Sequence, residues 1–326
     1  MMKYKDLVYG SFEIKDKVIL DLINSKTLLR LKEIDQAGYP KPFFPYKSYS
    51  RFDHSVGVYL LLRMFNTSIE EQIAGLIHDV SHSAFSHCID YALDSGSEKK
   101  HTYQDDIFDE FVRKSEIPVI LKKYNLNLEY ILNDKNFTLK EKELPDLCAD
   151  RIDYSLRTAC VLKKIKNSKY FFNNLLAENG EWIFKNLDSA QKFSQLFFDI
   201  NLNYYAGLYN ALMLRTVGDC LRYSLAKNYI SKEDLYTTDK IVINKIKSHI
   251  ESDLKLSLLF DRMNNKVGFK NDPNDYDVKF FVKSRVVDPL CLYNGKIERL
   301  SEVNVSWEKI VKQERIPKEY FFKFDK

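Results

Sequence analysis

The chain is 326 residues long, with 50 Lys and Arg against 46 Asp and Glu, so its formal charge is only +4. That balance excludes a nucleic-acid tail or a polybasic membrane anchor as the dominant feature. With 45% apolar residues and only 10 Gly and 8 Pro, the composition is that of a globular chain of one large domain or two modest ones. Met1 and Met2 lead into Lys3, Lys5 and Asp6, and no apolar run approaches the roughly 18 residues that span a bilayer. The expectation is a soluble, cytoplasmic protein with neither signal peptide nor membrane contact. Cys88, Cys148, Cys160, Cys220 and Cys291 are odd in number and form no C-x-x-C pair, which reads as reduced, buried thiols.

In chain order, apolar spacing at three and four residues predicts a mainly helical protein. A helix over 27–37 carries Leu28, Leu31 and Ile34 on one side and stops at Gly38. Ser50 opens a helix to about residue 65, and Ser68 with Glu71 forms a capping box for the next, which turns Ile69, Ile73, Leu76 and Ile77 inward. Residues 94–100 are a polar break, and 122–142 mix charged with apolar positions. Pro145 suits the first turn of a helix reaching Cys160. One long helix is expected over about 190–228. Near the C-terminus, 278–282 and Val286-Val287 read as strands, Asp288-Pro289 as a turn and Asn294-Gly295 as a hairpin turn.

Histidines 54, 78, 82 and 87 place four of the chain's six within 34 positions, with Asp79 directly after His78 and His101 just downstream. Imidazole with carboxylate suits borderline divalent ions such as manganese, iron, zinc or nickel, whereas magnesium favours oxygen ligands. Adjacent residues on a regular helix project about 100° apart, so His78 and Asp79 can meet one ion only where a helix ends. Ser81, Ser83 and Ser86 make such an ending there. A carboxylate finishing an apolar helix is costly to bury unless a cation or donors meet it.

Arg51-Phe52-Asp53-His54-Ser55-Val56-Gly57, then Gly75-Leu76-Ile77-His78-Asp79-Val80-Ser81-His82-Ser83-Ala84-Phe85-Ser86-His87, then Asp150-Arg151-Ile152-Asp153-Tyr154, form an ordered set of motifs. In that set the chain resembles the HD-domain metal-dependent phosphohydrolases, and within them the branch of deoxynucleoside-triphosphate triphosphohydrolases. Weaker likeness runs from Asp6-Leu7-Val8-Tyr9-Gly10 to Leu300-Ser301-Glu302-Val303. The resemblance implies a mainly α fold: an HD-domain helical bundle holding the metal over 1–170, a helical extension completing it over 171–256, and a C-terminal α+β portion over 257–326.

It further implies His54, His78, Asp79 and Asp150 as ligands of a divalent ion (manganese, iron, zinc, nickel or magnesium). His82 and His101 would serve proton transfer or phosphate contact, with Asp90 orienting or charging His82. Gln36, Arg51, Arg151, Tyr154 and Tyr209 would contact a nucleotide, while His87 would be structural. Composition alone leaves Asp146 and Asp153 as good a fourth ligand as Asp150; the resemblance selects Asp150. At helical spacing Asp150, Tyr154 and Arg157 share one side, so that the metal, Tyr154 and a cation would line one cavity. A homo-oligomer is expected by the same resemblance, and nucleic acid is not indicated.

The chain departs from the family pattern at definite places. Ser81, Ser83 and Ala84 follow the His-Asp pair where relatives have glycine and often proline. Asn201, Tyr205 and Ala211 stand where the triphosphohydrolases carry an arginine and histidines, with Tyr209 matching their tyrosine. Thr158 replaces an aspartate that holds a sugar hydroxyl. Three readings follow. The first is a triphosphohydrolase giving deoxynucleoside and tripolyphosphate. The second is a phosphodiesterase or phosphatase on another nucleotide or oligonucleotide. The third is a nucleotide-binding regulator or nucleic-acid-binding module that senses without turnover.

Overall fold

The computed structural model describes residues 1–46 and 48–325 and is mainly helical. It opens with a hairpin absent from the sequence expectation, β1 (Met2–Asp6) paired antiparallel to β2 (Gly10–Ile14). The helix expected over 27–37 ends sooner. Lys26–Arg30 is helical, Leu31–Glu33 is one 3₁₀ turn, and Asp35 then bridges Ser50. Long-range partners explain the early stop: Asp35 N–H donates to Asp239 Oδ2 (2.9 Å), and the Ile34 carbonyl accepts from Arg51 N–H (3.0 Å).

Ser50 caps helix Arg51–Met64 in a reciprocal box with Asp53, and this helix runs through the middle of the first core. Val56, Tyr59 and Leu60 bury there with Ile73, Leu76, Ile152, Phe193 and Phe197. Ser68 caps helix Ile69–Ile77 by accepting from Glu71 N–H (3.1 Å). The returning half of that expected box is missing, because Glu71 Oε1 accepts instead from Leu139 and Lys140 N–H (3.1 and 3.0 Å). The expected helix from Pro145 begins four residues later, as Ala149–Val161 capped by Cys148. Its first free N–H groups, at Ala149 and Asp150, bond to the Leu139 and Lys140 carbonyls, which fixes the start there.

The expected long helix is two helices. Leu187–Ile200 passes through a π-helical turn, Asn201–Tyr205, and the chain re-enters helix at Leu208–Ala226. Gly207 caps the second with extended backbone, and a Cβ on it would come within 2.5 Å of Asn203 O, so only glycine fits the break. The second core gathers Phe85, Cys88 and Tyr91 with Leu212, Met213 and Val217 and, from the C-terminus, Phe280 and Phe322.

Two small sheets complete the fold. One has the order β3 (Leu175–Glu178), β4 (Glu181–Phe184), β7 (Leu290–Tyr293), β8 (Lys296–Arg299), with β4 and β7 parallel; the other has β9 (Lys318–Phe324) between β5 (Phe269–Asn271) and β6 (Val278–Val282). The expected hairpin turn is present, with Asn294 and Gly295 at φ 49° and 78° joining β7 to β8. Val286 and Val287 are buried without strand pairing, and Asp288-Pro289 makes no turn; the Asp288 carboxylate instead accepts from Ser301 N–H and Oγ–H (2.9 and 2.6 Å). Among the described residues no helix is long and apolar enough to cross a membrane.

Candidate metal centre

Helix Ile69–Ile77 ends at its C-cap His78, as the adjacent His-Asp pair requires, and presents both residues toward His54 of helix Arg51–Met64. Asp150, in the first turn of helix Ala149–Val161, approaches from the third side. Its Oδ1 lies 2.8 Å from His54 Nε2 and 3.4 Å from His78 Nε2, and the two Nε2 atoms stand 3.2 Å apart. Asp79 borders the group, with Oδ1 3.5 Å from His78 Nε2 and Oδ2 3.8 Å from His54 Nε2.

The other ring nitrogens settle what these atoms can do. His54 Nδ1–H donates to Asp153 Oδ2 (2.7 Å), and His78 Nδ1–H donates to the Gly75 carbonyl (2.7 Å). With each Nδ1 committed as a donor, both Nε2 atoms, once free of any proton, are the ligating positions and converge with the Asp150 carboxylate. Two nitrogens bound at 2.0–2.1 Å in neighbouring positions of one ion stand about 3 Å apart, so the donor set fits a divalent metal. His54, His78 and Asp150 form such a group by geometry, and a neighbouring one shares Asp150 with Glu141 and Cys148.

The electrostatics agree. Burial alone lowers a histidine, yet the Asp150 and Asp153 carboxylates overcome it and hold His54 at about 10. Burial opposes ionisation of Asp79, but the Arg51 guanidinium holds its carboxyl well below the usual range. Arg51 Nη1–H donates to Asp79 Oδ2 (2.6 Å), its Nε–H to Ser86 Oγ (2.8 Å) and its Nη2–H to the Gln36 carbonyl (3.2 Å). Gly57, one turn from His54, allows the Asp153–Arg157 pair to lie against the helix, since a Cβ would fall 2.1 Å from Asp153 Oδ1. Arg157 pairs with Asp153 and Asp6 (both 2.9 Å). It therefore anchors the N-terminal hairpin rather than supplying the cavity's cation.

Beside the cluster opens a cavity with about 1030 Å³ of space, open solvent at its mouth included. Gln36, Arg51 and Tyr154 line it, as do His87 and His101. Its floor is a hydroxyl set in which Thr158 Oγ1 meets Tyr49 OH (2.9 Å) and Tyr205 OH (3.0 Å), and its mouth carries Phe44, Tyr46 and Tyr204. Arg285 also lines the cavity, its backbone N–H donating to Asn201 Oδ1 (3.0 Å). Among the described residues the Arg285 guanidinium has neither a hydrogen-bond nor an ion-pair partner.

The other expected site residues are distributed unevenly. His82 is buried with Nε2 3.2 Å from Asp79 Oδ1 and Nδ1 without a partner; burial and then Arg51 pull it to about 4, so it is neutral at pH 7 rather than near its ordinary value. His101 is also held well below its ordinary value by burial, and its Nε2–H donates to Tyr91 OH (3.1 Å), which itself donates to the Phe281 carbonyl. Asp90 lies beside His87 Nδ1 (3.4 Å) instead of His82. Arg151 is tied to the Asp146 and Lys142 carbonyls (2.5 and 3.0 Å), away from the cavity lining. Tyr209 is 49% exposed and packs on Phe269, because the break at Gly207 rotates it away from the site.

Sequence reasoning missed Asp153 as the partner of His54, Arg285 as the cavity's cation, and His87 as a lining group. Asp153 carried a signal, since it sits three residues after Asp150 on the same helix. Arg285 carried none, because no local pattern brings residue 285 to residue 154.

Residues 51–158 match the family model of the HD domain. Over 306 residues the chain is 33% identical to the uncharacterized protein YdhJ of Bacillus subtilis, covering 93% of this chain and 92% of that one. It is 32% identical over 161 residues to the metal-dependent phosphohydrolase cns2 of Cordyceps militaris, covering 49% of this chain and 46% of that protein. A shorter match, 34% over 116 residues, joins it to the deoxynucleoside triphosphate triphosphohydrolase SAMHD1 homolog of Dictyostelium discoideum, 31% of this chain and 22% of that one. The chain belongs to the HD-domain family. Its class is that of the metal-dependent phosphohydrolases, and its cofactor is a metal ion.

Proposed function

We propose that the protein hydrolyses deoxynucleoside triphosphates to deoxynucleoside and tripolyphosphate, with His54, His78, Asp79 and Asp150 holding the metal. The observation that carries this reading is the partnerless Arg285 guanidinium in an aromatic-mouthed cavity beside the donor cluster. Such a cation matches phosphate oxygens through several fixed N–H donors, while Phe44, Tyr46 and Tyr204 offer π faces to a base. The partial match to a triphosphohydrolase supports the same substrate class.

When bound, a divalent ion supplies Lewis-acid polarisation of a phosphoryl oxygen and lowers the pKa of a water. The chain's own groups do the rest. Neutral His82, whose Nε2 lies 3.2 Å from Asp79 Oδ1, accepts or returns a proton beside that carboxylate. Arg51 and Arg285 hold phosphate oxygens, Tyr154 and Gln36 meet the sugar, and the hydroxyls of Tyr49, Thr158 and Tyr205 close the floor against bulk water.

The test is turnover of a deoxynucleotide mixture by metal-loaded protein, with products identified by mass spectrometry and Asp150→Asn as control. Deoxynucleoside with tripolyphosphate, lost in the variant, is the expected result. A second reading, a phosphatase or phosphodiesterase on another nucleotide, is favoured by the engagement of Arg151 with backbone carbonyls and the outward Tyr209. Orthophosphate or a nucleoside monophosphate as product would replace the first reading with the second.

A further inference from the structure

A second cavity, about 580 Å³ with the open solvent at its mouth included, lies across the segment 283–285 from the first. Arg285 lines the first cavity, whereas Lys283 and Ser284 line the second together with Lys99 and Arg315. Its remaining walls are Leu144, Val286 and Pro317, so among the described residues its lining charges are the three cations.

None of those cations forms an ion pair within 4.0 Å among the described residues. The nearby carboxylates are engaged elsewhere. Glu98 pairs with Arg215 (3.4 Å) and accepts from Phe281 N–H (3.3 Å). Glu314 pairs with Lys318 (3.2 Å) and accepts from Ser284 Oγ–H (3.1 Å). Asp105 and Glu141 act on Lys283 from farther off, against Arg285 and Arg151. Burial, then the charge of Arg285, pulls the half-buried Lys283 ammonium down to about 8, and the more distant Asp105 and Glu141 carboxylates do not make up the loss. The Lys99 ammonium lies 4.2 Å from the Phe281 ring centroid and has no carboxylate partner among the described residues.

We propose that the cavity lined by Lys99, Lys283 and Arg315 binds a short phosphate chain, as a site separate from the metal centre. Three cations lining one cavity, none of them ion-paired among the described residues, match the closely spaced negative charges of such a chain and would exceed the grip of any one of them on orthophosphate. The choice of a chain over a single phosphate rests on the triphosphate reading of the metal centre, whose inorganic product has this chemistry. Because Lys283 and Arg285 flank one residue, a chain held by Lys283 also acts on the position of the Arg285 cation.

Equilibrium dialysis of labelled inorganic tripolyphosphate against the full-length, metal-loaded protein tests this. Binding should be at least tenfold tighter than for orthophosphate, should weaken at least tenfold in Lys283→Ala and in Arg315→Glu, and should persist in Asp150→Asn. Arg315 is exposed, so its variant keeps the fold even where the Lys283 change does not. Displacement by dATP would identify a nucleotide's phosphate tail as the occupant, and its failure to displace would identify the free chain; either agrees with the site. Binding unchanged within twofold in both variants, or abolished by Asp150→Asn alone, would overturn it. If no nucleotide is hydrolysed under any condition but tripolyphosphate binding still requires Lys283 and Arg315, the substrate reading fails and this site stands.

Discussion

Asp153 Oδ2 receives the His54 Nδ1 proton at 2.7 Å while both Asp153 oxygens also accept from Arg157, so one buried carboxylate orients a ligand ring and neutralises an arginine. Partners of this kind typically control metal affinity by ten- to a hundredfold. Asp153→Asn should therefore lower metal occupancy by about that factor while His54, His78 and Asp150 remain in place. Competition against a chromogenic chelator measures it, and unchanged affinity would deny Asp153 its role.

Metal uptake should be coupled to proton release. His54 is raised to about 10 by Asp150 and Asp153 against the opposing effect of burial, so at pH 7 its Nε2 carries a proton that an incoming ion must displace. Apparent affinity should rise with pH and level off as pH passes the raised value. In the metal-free protein the same shift has the opposite consequence. Its stabilisation is complete below about 6.5, the ordinary histidine value, and disappears as pH climbs through the folded value. Calorimetry in buffers of different ionisation enthalpy should count at least one proton per ion, since against burial the Asp79 and Asp150 carboxylates raise His78 as well. An uptake independent of pH between 6.5 and 9 would rule this coupling out.

Arg285→Ala should raise KM for a triphosphate about tenfold or more, the scale of one charge-assisted hydrogen bond of about 1.5–3 kcal/mol, with a smaller effect on a monophosphate. Steady-state kinetics on matched substrates separates the two. Equal losses on both would remove Arg285 from phosphate recognition.

Arg30 supports the same site from behind. Its Nη2–H groups donate to the Val80 and His82 carbonyls (2.7 and 2.8 Å) and its Nη1–H to the Thr237 carbonyl (3.3 Å). Nearby, Phe85 and Ser86 adopt φ of 60° and 48°, a conformation unfavourable for non-glycine residues that the surrounding bonds must hold. Arg30→Met should destabilise the fold by about 2 kcal/mol through unpaired carbonyls and lower kcat more than it raises KM. A kcat equal to wild type in folded variant would limit Arg30 to stability.

Local chemistry made much of this legible. Ser50 before an apolar helix, the end of a helix at His78, and Asn294-Gly295 between two strands each express a preference that a few neighbouring residues satisfy. What sequence missed depended on distant partners. The helix expected to reach residue 37 stops because Asp239 captures the Asp35 amide, and the expected long helix breaks where Asn201 is drawn to Ser284 (3.0 Å) and Arg285. The same break exposes Tyr209 and leaves Tyr205 on the cavity floor. Metal donors lie on adjoining helices and carry a motif, whereas Arg285 arrives from a segment 131 positions beyond Tyr154 (285 − 154).

The parallel pairing of Ile183 with Leu290 is what delivers that segment. The stretch matching the family model, residues 51–158, carries His54, His78, Asp79, Asp150 and Arg51 but not Arg285. The metal donors and Arg51 thus share one stretch of the polypeptide, whereas Arg285, the other phosphate contact proposed above, reaches the same cavity from far beyond it, and the core around the donors is completed by Ile19, Leu22, Phe193 and Phe197 from outside that stretch.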